Sequence, residues 1–165
     1  MTKLKNKKAI ITGGGRGLGK ATAIAFAKEG IDIAITGRNE TVLKETVSEL
    51  ETFGIQAIYA VFDVSNYEDV KRGIKSIMNT LGPIDILVNN GGISQRSPII
   101  ETSIEVDKKL MEIDYLGTIA LTKAILLMLP VAMFVSSGFE HSIWKTCWSR
   151  FFFWLQRRPS MGDHS

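Results

Sequence analysis

The chain is poor in the residues that build disulfide frameworks and metal centres. Its 165 residues include one cysteine, Cys147, and two histidines, His141 and His164. A single cysteine excludes an internal disulfide and favours a reducing compartment. The basic N-terminus leads into an apolar run too short for the core of a signal peptide, so the cytoplasm is the default prediction. We predict no metal site.

No strong excess of charge and no long apolar run marks the chain either. The net charge is +3, and the basic cluster at the N-terminus has no interleaved aromatic residues, so nucleic acid is not an expected partner. The apolar stretch 124–135 is too short to span a bilayer and contains Pro130. It is therefore predicted to be a helix end followed by a buried strand.

Glycine, by contrast, is concentrated in the segment Thr12-Gly13-Gly14-Gly15-Arg16-Gly17-Leu18-Gly19, between an apolar run and a helical pattern. Glycines at 13, 17 and 19 allow a sharp turn and a close approach of the backbone to a ligand. The helix that follows directs its unpaired N–H groups and positive dipole end towards an anion. This pattern predicts a cradle for the diphosphate of a dinucleotide, with an ordinary glycine-rich surface turn as the alternative.

Short β-like runs alternate with helical patterns along the chain, which predicts parallel strands joined by crossover helices. The predicted strands are 8–12, 32–36, 55–62, 84–88 and 131–135. The predicted helices are 17–29, 40–53, 67–81 and 104–129. The first helix has few polar residues, so we expect it to be largely buried and to end at Gly30. Asn39 is predicted to cap the second helix.

Three motifs, in this order along the chain, resemble those of the short-chain dehydrogenases/reductases. They are the Thr12–Gly19 loop, Asp63-Val64 after the third strand, and Asn89-Asn90-Gly91-Gly92 after the fourth, where the family usually has Asn-Asn-Ala-Gly. The resemblance covers residues 1–138. It implies an α/β fold, a Rossmann-like doubly wound parallel sheet of strand order 3-2-1-4-5, with the family's later strands missing. The cofactor would lie across the carboxyl ends of the strands.

The resemblance implies a set of cofactor-binding residues, and the charges among them favour NADP(H) over NAD(H). No carboxylate stands at the end of the second strand to accept a hydrogen bond from a ribose 2′-hydroxyl, whereas Arg16 and Arg38 offer donors for a 2′-phosphate. Asp63 would accept from the adenine amino group. The alternatives are a solvated loop arginine and a turn-forming aspartate. The full set is Thr12, Gly13, Arg16, Gly17, Leu18, Gly19, Arg38, Asp63, Val64, Asn90 and Gly91.

Catalysis in this family, as the resemblance implies, transfers hydride between the nicotinamide and a carbonyl or alcohol carbon. A serine, matched here by Ser137, binds the substrate oxygen, and a tyrosine assisted by a lysine four residues later exchanges the proton. All three tyrosines precede Ser137, and Arg150 and Trp154 stand where that pair belongs. Neither residue can relay the proton. Asp114 stands at the position of the family's catalytic asparagine. We therefore expect this chain to be inactive.

Composition changes abruptly after residue 138, because all tryptophans, both histidines and Cys147 lie beyond it. Residues 139–165 are predicted to be an irregular tail foreign to the family, produced by truncation or a frame shift. The alternative is an amphipathic, basic-flanked anchor that contacts a membrane or a partner. Without the later family segments, the family's homo-oligomer interface would be incomplete.

Three functions stay open on this basis. The first is an NADP(H)-dependent oxidoreductase by descent, acting on a small carbonyl or alcohol substrate. The second is a non-catalytic NADP(H)-binding module, and the third is an unstable gene fragment.

Overall fold

The computed structural model describes residues 4–126 and 133–136 as a chain of alternating strands and helices. Ser137 and the predicted tail 139–165 lie outside the described residues. The elements, in chain order, are β1 Lys8–Thr12, α1 Gly17–Lys28, β2 Asp32–Gly37, α2 Glu40–Glu51, β3 Ala57–Val61, α3 Tyr67–Leu81, β4 Ile86–Asn89, α4 Ile104–Leu110, a π-helical turn Met111–Gly117, α5 Thr118–Leu126 and β5 Met133–Ser136.

The five described strands form one parallel sheet in the order β3-β2-β1-β4-β5. Ile10 of β1 lies between Ala34 of β2 and Leu87 of β4, which sets the register at the centre of the sheet. The predicted fold class and strand order are confirmed. In a parallel sheet of this kind, every carboxyl end points to the same edge, and the helices return over the faces.

Helices cover both faces of the sheet and create two apolar clusters. On one face, Ile11, Ile33 and Ile35 pack with α1 and α2. On the other, Ile10, Ala34 and Leu87 pack with α3 and α5. Burial on both sides explains why the strands are continuous apolar runs rather than alternating ones.

The expectation that α1 is largely buried is wrong. Its buried residues are Gly19, Ala23 and Ala27, whereas the side chain of Leu18 is 66% exposed. Because small residues four apart contact the sheet, the helix lies close to it, and only one narrow stripe is covered. The predicted end of the helix is confirmed, since Gly30 follows it with a φ of +77°.

Local capping signals were more reliable than the long helical pattern. Asn39 caps α2 as predicted, accepting from the backbone N–H of Val42 at 3.1 Å. The segment predicted as one helix over 104–129 is instead α4, a π-helical turn and α5 up to Leu126, where the described helix ends. The π-helical turn lies at the edge of the sheet where the candidate site is built.

Candidate functional site

The carboxyl edge of the sheet gathers the predicted cofactor residues from four strands. The glycine loop follows β1, Arg38 follows β2, Asp63 lies two residues beyond β3, and Asn90 follows β4. These positions are far apart in sequence and meet only because all four strands are parallel. The strand order reverses at this edge, because β2 lies on one side of β1 and β4 lies on the other. Ligands of such sheets bind in the crevice at that reversal.

The glycine loop is packed so tightly that residues with a side chain would not fit at its key positions. Gly13 has a φ of +64°, in the left-handed region that favours glycine. A Cβ on Gly19 would lie 2.5 Å from Nδ2 of Asn90 and closer still to the carbonyl oxygen of Gly13. The first turn of α1 therefore lies directly against the turn that follows β1. Apart from its chain neighbours and its own helix backbone, no described atom lies within 4 Å of a Cβ built at Gly17.

Thr12 and Asn90 join the ends of β1 and β4 through a compact set of hydrogen bonds. The Thr12 hydroxyl donates to the carbonyl of Val88 at 3.4 Å and accepts from the backbone N–H groups of Asn90 and Gly91 at 2.9 and 2.7 Å. The Asn90 side chain donates through Nδ2 to the Thr12 carbonyl at 2.9 Å. One donor and two acceptor positions complete the capacity of a hydroxyl, so Thr12 acts here on the protein itself.

The amino end of α1 is electropositive. Arg16 occupies the N-cap position and its side chain is exposed, while no acidic residue lies in the first turn. Within residues 4–126 and 133–136, the Arg16 guanidinium makes no hydrogen bond or ion pair. Cation, helix dipole and unpaired backbone N–H groups therefore combine at one point of the edge, an arrangement suited to an anionic group.

Arg38 and Asp63 face each other across the ends of β2 and β3. Nη1 of Arg38 lies 3.8 Å from Oδ2 of Asp63, with the two side chains 64% and 35% exposed. The other carboxylate oxygen of Asp63 accepts from the backbone N–H and the hydroxyl of Ser65 at 3.0 and 2.8 Å. Asp63 thus forms a turn and also presents a charge to Arg38.

The pKa of Asp63 is lowered by these surroundings. Partial burial is the largest single influence and alone would raise the pKa of this carboxyl group. It is outweighed by the two hydrogen bonds from Ser65 together with the charges of Arg38 and Lys109, which favour the ionised form. The carboxylate is therefore charged in any near-neutral solution.

The π-helical turn places Asp114 against the loop that follows β4. Oδ1 of Asp114 accepts from the backbone N–H of Ile93 at 2.9 Å, and a Cβ on Gly92 would lie 2.9 Å from the same oxygen. At the end of the turn, Gly117 approaches Val64, where a Cβ would lie 3.0 Å from the Val64 carbonyl oxygen. Asp114 and Val64 therefore contribute contacts that hold the walls of the edge together.

The predicted catalytic serine, Ser137, lies outside the described residues, although it directly follows β5. The register pairs Ser136 with Asn89, so β5 ends at the same edge as β4. A tyrosine and a lysine with the family's spacing do occur, as Tyr67 and Lys71 in α3. They follow β3, at the end of the sheet opposite β5, and the Lys71 ammonium lies over the Tyr67 ring, 4.2 Å from its centroid.

Metal-binding clusters and membrane-spanning helices are both absent from the described part of the chain. Residues 4–126 and 133–136 contain no group of three or more histidine, cysteine, aspartate or glutamate side chains placed to hold a metal ion. Across the same residues, none of the helices has both the length and the apolar character needed to cross a bilayer.

Sequence reasoning named the glycine loop and the charged residues but did not anticipate the hydrogen bonds that Thr12, Asn90 and Asp114 make within the protein. Contact of Thr12 and Asn90 with the cofactor stays a prediction. The available signal was their position at the ends of adjacent parallel strands, which brings polar groups of β1 and β4 within hydrogen-bonding distance.

Comparison with known proteins supports this arrangement. Residues 7–137 match the family model of the short chain dehydrogenase. Dehydrogenase/reductase SDR family member 7B of Xenopus laevis is 39% identical over 123 residues, covering 71% of this chain and 38% of that protein. The chain thus spans less than half the length of that curated relative.

Solved structures show the same fold. The structure of NAD⁺-bound xylitol dehydrogenase aligns with a TM-score of 0.78 at 27% identity, covering 82% of this chain and 54% of the other. L-sorbose reductase from Gluconobacter frateurii, complexed with NADPH and L-sorbose, aligns with a TM-score of 0.71 at 31% identity, covering 74% and 47%. With a family match over most of its length and the expected edge geometry, the chain belongs to the short-chain dehydrogenase/reductase family.

Proposed function

We propose that this chain binds NADP(H) across the carboxyl edge of its sheet, with the diphosphate at the amino end of α1. The observation that carries the proposal is the contact of Gly19 with Gly13 and Asn90, which brings the first turn of α1 to the edge. Unpaired N–H groups and Arg16 then face the same space. The similarity to enzymes solved with NAD⁺ and with NADPH supports a nicotinamide dinucleotide of either kind.

The preference for the phosphorylated form rests on the charges at the end of β2. Thr36-Gly37-Arg38 carries no carboxylate that would repel a 2′-phosphate, and Arg38 is exposed with its guanidinium beside β3. A guanidinium makes strong, forked hydrogen bonds to phosphate. Asp63, next to it, offers the Oδ2 atom as acceptor for the adenine amino group.

The reaction we propose for this fold is hydride transfer between the nicotinamide and a small carbonyl or alcohol. A nicotinamide dinucleotide bound there would supply or accept the hydride. In the chain, the glycine loop and Arg38 hold the dinucleotide, Asp114 holds the loop after β4, and Ser137 is proposed to bind the substrate oxygen. Arg150 and Trp154 stand at the positions of the proton-relaying pair, so we propose that these 165 residues bind the dinucleotide without turning it over.

Of the two proposed functions, an active oxidoreductase and a non-catalytic binding module, the residues favour the binding module. The glycine loop, Arg16 and Arg38 lie at the carboxyl edge, whereas the tyrosine and lysine of the right spacing belong to the start of α3, after β3, and not to a segment after β5. An enzyme assay on carbonyl substrates separates the two forms. NADPH oxidation at rates typical of dehydrogenases would contradict the proposed loss of turnover.

Binding itself is tested by calorimetric titration of NADPH and NADH into the full chain and two arginine variants. Arg38→Ala removes the proposed 2′-phosphate contact, so we expect NADPH to bind at least about tenfold more weakly, with NADH little changed. Arg72→Ala is the matched control, because Arg72 is an exposed arginine of α3 paired with Asp69. Equal losses for both cofactors in Arg38→Ala, or no binding heat from folded protein, would contradict the proposal.

A further inference from the structure

The dipeptide Asn90-Gly91 has a sequence prone to deamidation, a reaction separate from cofactor binding. It is the one Asn-Gly pair in the sequence, at a position where the family usually has Asn-Ala. Asn-Gly pairs deamidate because glycine has no side chain to hinder its backbone nitrogen. That nitrogen attacks Cγ of the asparagine, the new C–N bond closes a succinimide ring, and the Cγ–Nδ2 bond breaks to release ammonia. Water then opens the ring to aspartate or isoaspartate.

Both reacting groups are engaged by Thr12 in the folded chain. The Gly91 N–H, which must lose its proton to become the nucleophile, donates to the Thr12 hydroxyl at 2.7 Å. The Asn90 Nδ2, which must leave, donates to the Thr12 carbonyl at 2.9 Å. Each hydrogen bond stabilises the reactant and is lost on the way to the ring, so each one slows the reaction.

Packing around the Asn90 amide opposes the reaction as well. A Cβ on Gly13 would lie 3.1 Å from Nδ2 of Asn90, and one on Gly19 would lie 2.5 Å from it. The amide therefore fills the gap between the β1 turn and the first turn of α1. Turning Cγ of Asn90 towards the Gly91 nitrogen requires the ends of β1 and β4 to separate.

We propose that Asn90-Gly91 is a latent deamidation site which Thr12 keeps unreactive while the edge of the sheet is closed. Opening of the β1–β4 edge exposes the pair and allows the ring to form. The product carries a new carboxylate beside the amino end of α1. If the proposed function is right, that charge repels the diphosphate, and the modified chain binds NADPH more weakly.

The test follows the mass of the Asn90 peptide during incubation at mildly alkaline pH, with native and urea-unfolded wild-type protein compared. We expect the native protein to deamidate at least about tenfold more slowly, since its edge opens only transiently. Thr12→Val removes the hydroxyl and should accelerate the native reaction about fivefold, the factor that corresponds to one lost hydrogen bond. Thr12→Ser retains the hydroxyl and should stay close to wild type.

Asn79, exposed in α3 and followed by Thr80, serves as the internal control, because its rate should be the same in every folded variant. Equal rates for native and unfolded wild type would overturn the proposal, as would a folded Thr12→Val variant that deamidates like wild type. If that variant does not fold, the comparison of native and unfolded wild-type protein still decides whether the closed edge slows the reaction. Gly91→Ala should suppress the reaction in urea.

The functional consequence has its own readout. NADPH titration of the deamidated fraction should show weaker binding than the unmodified protein. Undiminished binding would refute the effect on the cofactor while leaving the deamidation result intact. No binding by the unmodified protein would instead show that the proposed function has failed.

Discussion

Arg38 and Asp63 form an ion pair that is expected to contribute little to stability but that fixes the positions of two charged side chains. Their charged atoms are 3.8 Å apart and partly in water, where such a pair adds little free energy of folding. The pair nevertheless holds a guanidinium and a carboxylate side by side at the ends of β2 and β3. These are the two groups that we propose for the 2′-phosphate and the adenine.

Asp63 is expected to make the folded chain lose stability as the pH becomes acidic. Its pKa in the folded chain lies below that of the unfolded chain. The stabilisation is thus complete above the unfolded pKa, near 3.8, and is lost as pH falls through the lower folded value. We expect Asp63→Asn to flatten the decline of the urea midpoint between about pH 5 and about pH 2. Glu45→Gln, at an exposed carboxylate of α2, is the control; an unchanged decline in Asp63→Asn would contradict the assignment.

Asp114 is expected to hold the loop after β4 through one hydrogen bond. Asp114→Ala removes the acceptor for the Ile93 N–H, whereas Asp114→Asn retains an oxygen there. Hydrogen exchange should show faster exchange of the Ile93 amide in the alanine variant, and urea unfolding should show a loss of about 1 kcal/mol. Similar exchange in the alanine and asparagine variants would show that the acceptor is not what orders this loop.

The sequence identified the site residues that belong to a recognisable motif. It did not predict hydrogen bonds between residues that are distant in the sequence. Gly13, Gly19, Arg38 and Asp63 were all predicted at this edge. The use of the Thr12 hydroxyl was not, because its partners lie 76 or more residues away on β4 and just after it. Such hydrogen bonds depend on strand register, which residue types alone do not encode.

The first helix is the element on which the candidate site depends most. It starts with no side-chain cap, its buried stripe is Gly19, Ala23 and Ala27, and it lies close to the sheet as a result. The sequence predicted its bounds to within one residue, but overestimated its burial. Apolar content indicates which residues tolerate burial, whereas the neighbouring elements determine which of them are covered.

Substitution of Gly19 tests the close approach of α1. Gly19→Ala would force Cβ into the Gly13 carbonyl and the Asn90 amide, so we expect a cost of about 1–3 kcal/mol in the free energy of unfolding. NADPH affinity should fall at least about tenfold as the amino end of the helix moves. Urea unfolding and calorimetric titration measure the two effects.

Gly54→Ala is the control for that substitution. Gly54 follows α2 with a φ of +75°, and apart from its chain neighbours no described atom lies within 4 Å of the position that an added Cβ would take. It should lose about 1 kcal/mol of stability from backbone strain and bind NADPH as wild type does. Unimpaired NADPH binding by Gly19→Ala would show that the diphosphate does not depend on this contact.

At the scale of the whole molecule, stability depends on a sheet covered on both faces. The central strands β1, β2 and β4 contribute to both apolar clusters, so loss of packing on one face weakens the support of the other. We expect this two-sided core to unfold cooperatively, an outcome that would exclude the unstable fragment that the sequence left open as a third possibility.

Leu87 tests that cooperativity, since its side chain is fully buried at the centre of β4. Leu87→Ala should lower the free energy of unfolding by about 2–5 kcal/mol, the cost of a cavity in a packed core. Ile100→Ala, at a side chain that is 91% exposed, should change it by less than about 0.5 kcal/mol. Comparable effects of the two substitutions in urea unfolding would argue against a packed core around β4.

The sequence by itself determined the alternation of strands and helices, the parallel sheet and the glycine turn after β1, because apolar periodicity and local turn residues act over a few neighbours. Tertiary structure alone decided which face of α1 is buried, how the helix after β4 divides around its π-helical turn, and where Thr12, Asn90 and Asp114 direct their hydrogen bonds. Those outcomes depend on contacts between segments distant in sequence, which exist only once the strands have aligned.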